Sequence, residues 1–246
     1  AYYDLFNKYK KEYQTEEILA GTAAEQTAER AAKAAFDERI SLLGMLIDKV
    51  LSEAREDMEI SDYLMELVGC LKAIKAAVSK LSEEELKTQT VSVEQMLENQ
   101  MNARRKKLES AQMAGSLSEA ERRKGKRILR FLEEQKKQIL LEGASGEAAF
   151  GILKAAFDGL TAELKQKTAR TRARMENLFA FAEKAFPDGN EMLILVTELT
   201  VNNDSARFIG QFGCPAYERH NRELMLQERQ GGLPEEMAAL HLAGIY

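Results

Sequence analysis

The apolar residues of this chain fall in steps of three and four over most of its length, the spacing that gathers them on one face of a helix. The longest such stripe lies between Ser145 and Phe186 and reads Phe150, Leu153, Phe157, Leu160, Leu164, Thr168, Thr171, Met175, Leu178, Ala182 and Ala185. No proline interrupts it, and a helix of that length spans roughly 60 Å at about 1.5 Å per residue. A rod so long cannot be buried on its own, so other long helices must run beside it. The spacing slips once: steps of four follow one another at Leu160, Leu164 and Thr168, where a strict heptad would alternate. Threonines then occupy the seam beside Lys165, Lys167, Arg170, Arg172 and Arg174. The middle of the stripe is therefore its weakest part, and the place to expect a bend, a groove or a partner.

Shorter patterns precede it. Tyr2, Leu5, Phe6, Tyr9 and Tyr13 predict an amphipathic helix from Ala1 to about Ala20. Thr22 and Glu25 match a capping box for a second helix to about Glu56, alanine-rich at first and then carrying Phe36, Ile40, Leu43, Ile47, Val50 and Ala54. Ser61 reads as the N-cap of a third helix bearing Leu64, Leu67, Val68, Leu71, Ile74 and Val78, with a break near Leu81 and a new start at Ser82. Ser92 and Gln95 open a fourth segment through Val93, Met96, Leu97, Met101 and Leu108 to about Ala114. Ser118 and Glu121 repeat the capping-box spacing before a fifth, ending near Glu142, whose stripe is Ile128, Leu132 and Ile139.

Pro187-Asp188-Gly189-Asn190 is the clearest stop in the sequence. Met192 to Val201 is almost continuously apolar, which periodicity cannot assign to helix or strand. A buried helix is preferred, because no second strand exists for a lone one to pair with. Asn203-Asp204-Ser205 reads as the cap of a short helix with Phe208, Ile209 and Phe212, closed by Gly213. Pro215 stands at the first position of another helix reaching Gln230, and Pro234-Glu235-Glu236 begins a last one that ends near His241. The fold class is thus all-α: an elongated bundle of long antiparallel helices over 1–186, with a compact C-terminal cluster of short helices over 187–246 packed on its end.

Composition agrees, with only 3 prolines in 246 residues. The 2 cysteines cannot form a disulfide framework and suit a reducing compartment. No run of about 18 apolar residues and no basic-then-apolar leader is present, so a soluble, cytoplasmic protein is expected. The chain opens at Ala1, as a processed product or a piece of a larger multidomain protein would. The net charge of −5 conceals an asymmetry: 18 of the 35 Lys and Arg but only 9 of the 40 Asp and Glu lie between Met101 and Met175, so that stretch carries +9 and the rest −14. Basic and acidic helices lying side by side would account for it.

Candidate chemistry is sparse. Walker, GxGxxG, GxSxG, HExxH and CxxC patterns are all missing, and no cofactor or metal site is predicted. The only 2 histidines are His220 and His241, and the residues three before them are Tyr217 and Ala238, which excludes the Glu-x-x-His pairs of a di-iron bundle. A zinc site would need Cys70, Cys214, His220 and His241 all to converge. Cys214 is the one candidate reactive thiol, since a helix N-terminus at Pro215 could lower its pKa; the competing reading is a small apolar plug between Phe212 and Tyr217. Arg123, Arg127, Arg130, Lys167, Arg170 and Arg174 form a candidate interaction surface. These observations lead to a non-catalytic helical scaffold or protein-interaction module whose protein partner the sequence does not identify. The alternative is nucleic-acid binding through the basic helices of 101–175, which lack the interleaved aromatics that stack single strands. An enzyme working through carboxylates or Cys214 is the third class.

Overall fold

The computed structural model describes residues 23–78, 93–144, 146–187 and 190–229. They form helices α1 (Ala23–Val78), α2 (Val93–Met113), α3 (Glu119–Glu142), α4 (Gly146–Ala185), α5 (Asn190–Val201), α6 (Asn203–Phe212) and α7 (Pro215–Arg229). The fold is all-α, with no strand among the described residues. The helix expected over 1–20, the capping box at Thr22, the start at Ser82 and the last helix from Pro234 lie outside them.

The break expected between Glu56 and Ser61 does not occur. α1 is one helix of 56 residues. The reason lies in its register: from Ile40 the buried positions run Leu43, Ile47, Val50, Ala54, Asp57, Ser61, Leu64, still in steps of three and four. Asp57 and Ser61 are each 3 % exposed, so they are polar members of the seam. Ser61 is not an N-cap, and with neither Gly nor Pro from Glu56 to Ser61 nothing local stops the helix. A second correction falls at α6, where the cap is Asn202. Its side chain accepts a hydrogen bond from Ser205 N at 3.0 Å, while the buried Ser205 hydroxyl donates to Leu199 O at 2.7 Å.

Contacts gather the chain into two units, one of residues 1–55 and 168–246 and one of 56–167. The dividing points fall inside α1 and α4 and not at Pro187. In α4 the division at Lys167/Thr168 meets the slip in the stripe's spacing.

In the 56–167 unit the core is built from Leu64, Leu67 and Ile74 of α1, Val93, Leu97 and Met101 of α2, Ile128, Leu132 and Ile139 of α3, and Ala149, Leu153 and Leu164 of α4. Each fully buried Leu or Ile contributes roughly 1.5–3 kcal/mol. α2 and α3 are antiparallel, since Lys136 near the end of α3 meets Glu98 near the start of α2, while Leu108 late in α2 packs on Gly125 early in α3. The capping box at Ser118 forms as its spacing predicts: Glu121 N donates to Ser118 Oγ at 3.2 Å and Ser118 N donates to Glu121 Oε2 at 3.0 Å. Gly143 ends α3 in the left-handed conformation, φ 58°, which favours glycine.

In the other unit, α1 and α4 run antiparallel, with Phe36 edge-on to Phe186 and Glu53 paired with Arg174. Their core residues include Leu43, Ile47, Val50, Met175, Leu178 and Phe179. Met192 to Val201 is helical, within α5, and buries Leu193, Leu195, Val196 and Leu199. Phe208 and Ile209 of α6 and Leu224 of α7 are buried too. Thr168 and Thr171 are 6 % and 3 % exposed, so the expected weak middle of the α4 stripe is covered along its seam.

Gly125 tests the α2–α3 contact. A Cβ there would come within 2.7 Å of both δ-carbons of Leu108. Those methyls end a flexible side chain, so Gly125→Ala should change stability by less than about 1 kcal/mol, the helix-propensity gain offsetting their displacement. Gly125→Val adds γ-carbons that force the helices apart and should cost about 2 kcal/mol, read from the shift in urea midpoint.

Candidate functional site

The six basic candidates divide between the two units, and acidic partners engage five of them. Within 56–167, Glu59 of α1 receives Arg123 at 3.1 Å and Arg127 at 3.7 Å. Arg130 lies 3.8 Å from Glu134, and Lys167 lies 3.6 Å from Glu163. In the other unit Arg174 pairs with Glu53, leaving Glu53 Oε2 buried without a hydrogen bond. Arg170 has no ion pair among the described residues.

Two further acidic residues hold the basic helices in the 56–167 unit. Glu66 takes Lys124 at 2.7 Å together with Arg104. Burial pushes the Glu66 carboxyl up, but the hydrogen bond from Lys124 and the charges of Arg104 and Lys124 overcome it and hold the group below the usual carboxylate range. Glu98 takes Lys136 at 2.7 Å and Arg105 at 3.4 Å, and the Lys136 hydrogen bond is the main cause of its lowered pKa. Glu59, Glu66 and Glu98 thus complement much of the basic surplus.

Cys214 sits where the sequence placed it, immediately before Pro215 and the start of α7. It is fully buried, and its Sγ donates to Glu176 Oε1 at 3.3 Å. The same oxygen accepts from Ala216 N at 3.3 Å, so the Glu176 carboxylate occupies the helix N-terminus that would otherwise favour a thiolate. Desolvation, with the nearby Glu176 charge, pushes the thiol up to about 12. Burial and the neighbouring carboxylate both disfavour the thiolate here. Cys70 is half-buried, and its pKa is likewise raised by burial.

One cluster has only half its signal in the sequence. His220 and Glu223 stand one helical turn apart on α7, which is legible locally; Glu183 and Phe179 come to them from α4. His220 Nε2 lies 2.7 Å from Glu183 Oε1, and Arg219 Nη2 reaches that same oxygen at 2.7 Å. The hydrogen bond from His220 outweighs burial and, with Arg219, holds the Glu183 carboxyl below its ordinary value. The two carboxylates meet opposite nitrogens of the ring, so they cannot share one cation with it. Among the described residues no group of three His, Cys, Asp or Glu could hold a metal ion. No helix among them is long and apolar enough to cross a membrane.

No protein family, curated protein or solved structure matches the chain.

The Cys214 environment predicts its reactivity. In a Cys70→Ser variant the native protein should leave a neutral thiol reagent unconsumed and take up one equivalent only on unfolding; prompt native labelling would contradict the buried, raised thiol. The folded pKa is above the unfolded one, so the group's contribution is complete below the ordinary value of 9.0 and is lost as pH rises toward about 12. Cys214→Ala should accordingly make the alkaline decline in stability shallower, measured by urea unfolding across that range.

Proposed function

We propose that the chain is a non-catalytic helical scaffold or protein-interaction module. The observation that carries this reading is the engagement of the basic surface: Arg123, Arg127, Arg130, Lys167 and Arg174 already face carboxylates, four of these contacts at 3.1 to 3.8 Å. A phosphate backbone would have to displace those partners before it gained a contact. The long helices hold side chains at fixed spacings, and several large apolar ones stand in water, including Met45 at 63 %, Met65 at 60 % and Leu141 at 87 % exposed. Methionine and leucine on a rigid helix suit a partner's apolar face.

Nucleic-acid binding is the reading to test against, because Arg170 is unpaired among the described residues. Fluorescence anisotropy with a labelled duplex and a labelled single strand, at two salt concentrations, separates the two. The scaffold reading expects no saturable binding at micromolar protein in physiological salt. Binding that weakens steeply as salt rises would establish the alternative. Photo-crosslinking residues placed at Met45, Met65 and Leu141 in cells should yield a discrete protein adduct from at least one position, and uniform absence of adducts would count against a protein partner.

A further inference from the structure

One edge of α4's solvent face carries an ordered row of charge. Within the 56–167 unit, Glu147, Lys154, Asp158 and Lys165 are all exposed and follow one another at spacings of seven, four and seven residues, which keeps them on one line along the helix. Their signs alternate, and the row is antisymmetric about Ala156: Glu147 and Lys165 each stand nine residues from it, Lys154 and Asp158 two. Beside this row Ala148, Gly151, Ala155, Gly159 and Ala162 are exposed as well, so no side chain in that strip is larger than a methyl group. Nothing packs on the two glycines: among the described residues a Cβ added at either would meet nothing within 4 Å, although glycine inside a helix is less favourable than alanine. A bare face of this kind lets a second helix approach closely, and the charged edge selects which helix fits.

We propose that α4 pairs antiparallel with α4 of a second copy of this chain, about a twofold axis at the level of Ala156. Rotation about that axis sets each edge of one helix beside the same edge of the other and reverses its direction. Glu147 of each copy then lies opposite Lys165 of the other, and Lys154 opposite Asp158, so every charge in the row meets the opposite sign. Within one chain Lys154 already holds Asp158 at 2.6 Å, one turn along the helix. In the pair these residues from both copies alternate in sign around the axis. The strip of small residues meets its own image, with Ala155 across the axis from its counterpart and Gly151 beside Ala162. Side chains this small bring the helix axes to about 8 Å, the near end of the range for packed helices. The flanking charges fix orientation and register, as charges beside a helix seam do. Because the same patch is used twice, the contact closes as a dimer and does not propagate. The pairing stands on its own geometry and does not depend on the scaffold reading.

Sedimentation equilibrium of the full chain tests it, over protein concentrations from roughly 1 to roughly 300 μM, the range suited to a short interface. The wild-type chain should follow a monomer–dimer equilibrium that weakens severalfold from low salt to high. Ala155→Arg sets two guanidinium groups against each other across the axis and should leave a monomer throughout. Because Ala155 is exposed, that variant should keep the circular dichroism and urea midpoint of the wild type. Glu147→Lys and Lys165→Glu each turn two attractions into repulsions and should weaken the dimer roughly fivefold or more. Combining them exchanges the signs and should restore the pairing, a recovery that damage to the fold would not produce. The pairing is overturned if the wild type stays monomeric at every concentration, if folded Ala155→Arg dimerises as the wild type does, or if the double variant pairs no better than the single ones.

Discussion

Everything in this chain depends on keeping a seam in register over distances that local helix propensity cannot sustain. Most helical stability in proteins comes from packing one face, and from Ile40 onward α1, a helix of 56 residues, keeps such a face buried. That face stays in steps of three and four even where its members are polar. Asp57 and Ser61 in α1, and Thr168 and Thr171 in α4, lie in the stripe and are buried, and each is engaged with a partner. A polar group at such a position costs little once satisfied, and it leaves the helix unbroken. The slip in spacing in α4 falls at one of the points where the contacts of the chain divide.

Charge is organised by the same geometry. The surplus of Lys and Arg between Met101 and Met175 would repel itself if those helices stood alone. Within the 56–167 unit, Glu59 and Glu66 of α1 and Glu98 of α2 meet Arg104, Arg105, Arg123, Lys124, Arg127 and Lys136. These pairs are partly exposed to solvent, so each adds modestly to stability. They also tie the registers of neighbouring helices to one another.

α7 meets α4 at two points that differ in chemistry. At its start the Glu176 carboxylate accepts from the Cys214 thiol and the Ala216 amide, capping the helix N-terminus. One turn further on, His220 and Arg219 converge on Glu183. The first contact caps a helix start, and the second joins charged side chains along the helix face.

By itself the sequence determined the helices, because helix spacing, caps and stops act within one or two turns. The stripe from Phe150 to Ala185, the capping box at Ser118, the left-handed Gly143 and the start at Pro215 all depend on neighbours a few residues away. It misread Ser61 for the same reason: a serine before a new apolar run resembles a cap, and only a facing helix makes it part of a seam. The cap of α6 moved to Asn202 because Ser205 turns its hydroxyl inward to Leu199. The candidate sites were legible as residue types and not as arrangements. Cys214 was correctly placed at a helix start, yet the carboxylate that neutralises that position comes from Glu176, 38 residues away. His220 and Glu223 share a turn, but Glu183 reaches them across a helix contact. Tertiary structure decided which charges meet, because an ion pair between helices is set by packing and register, and local spacing carries no record of either.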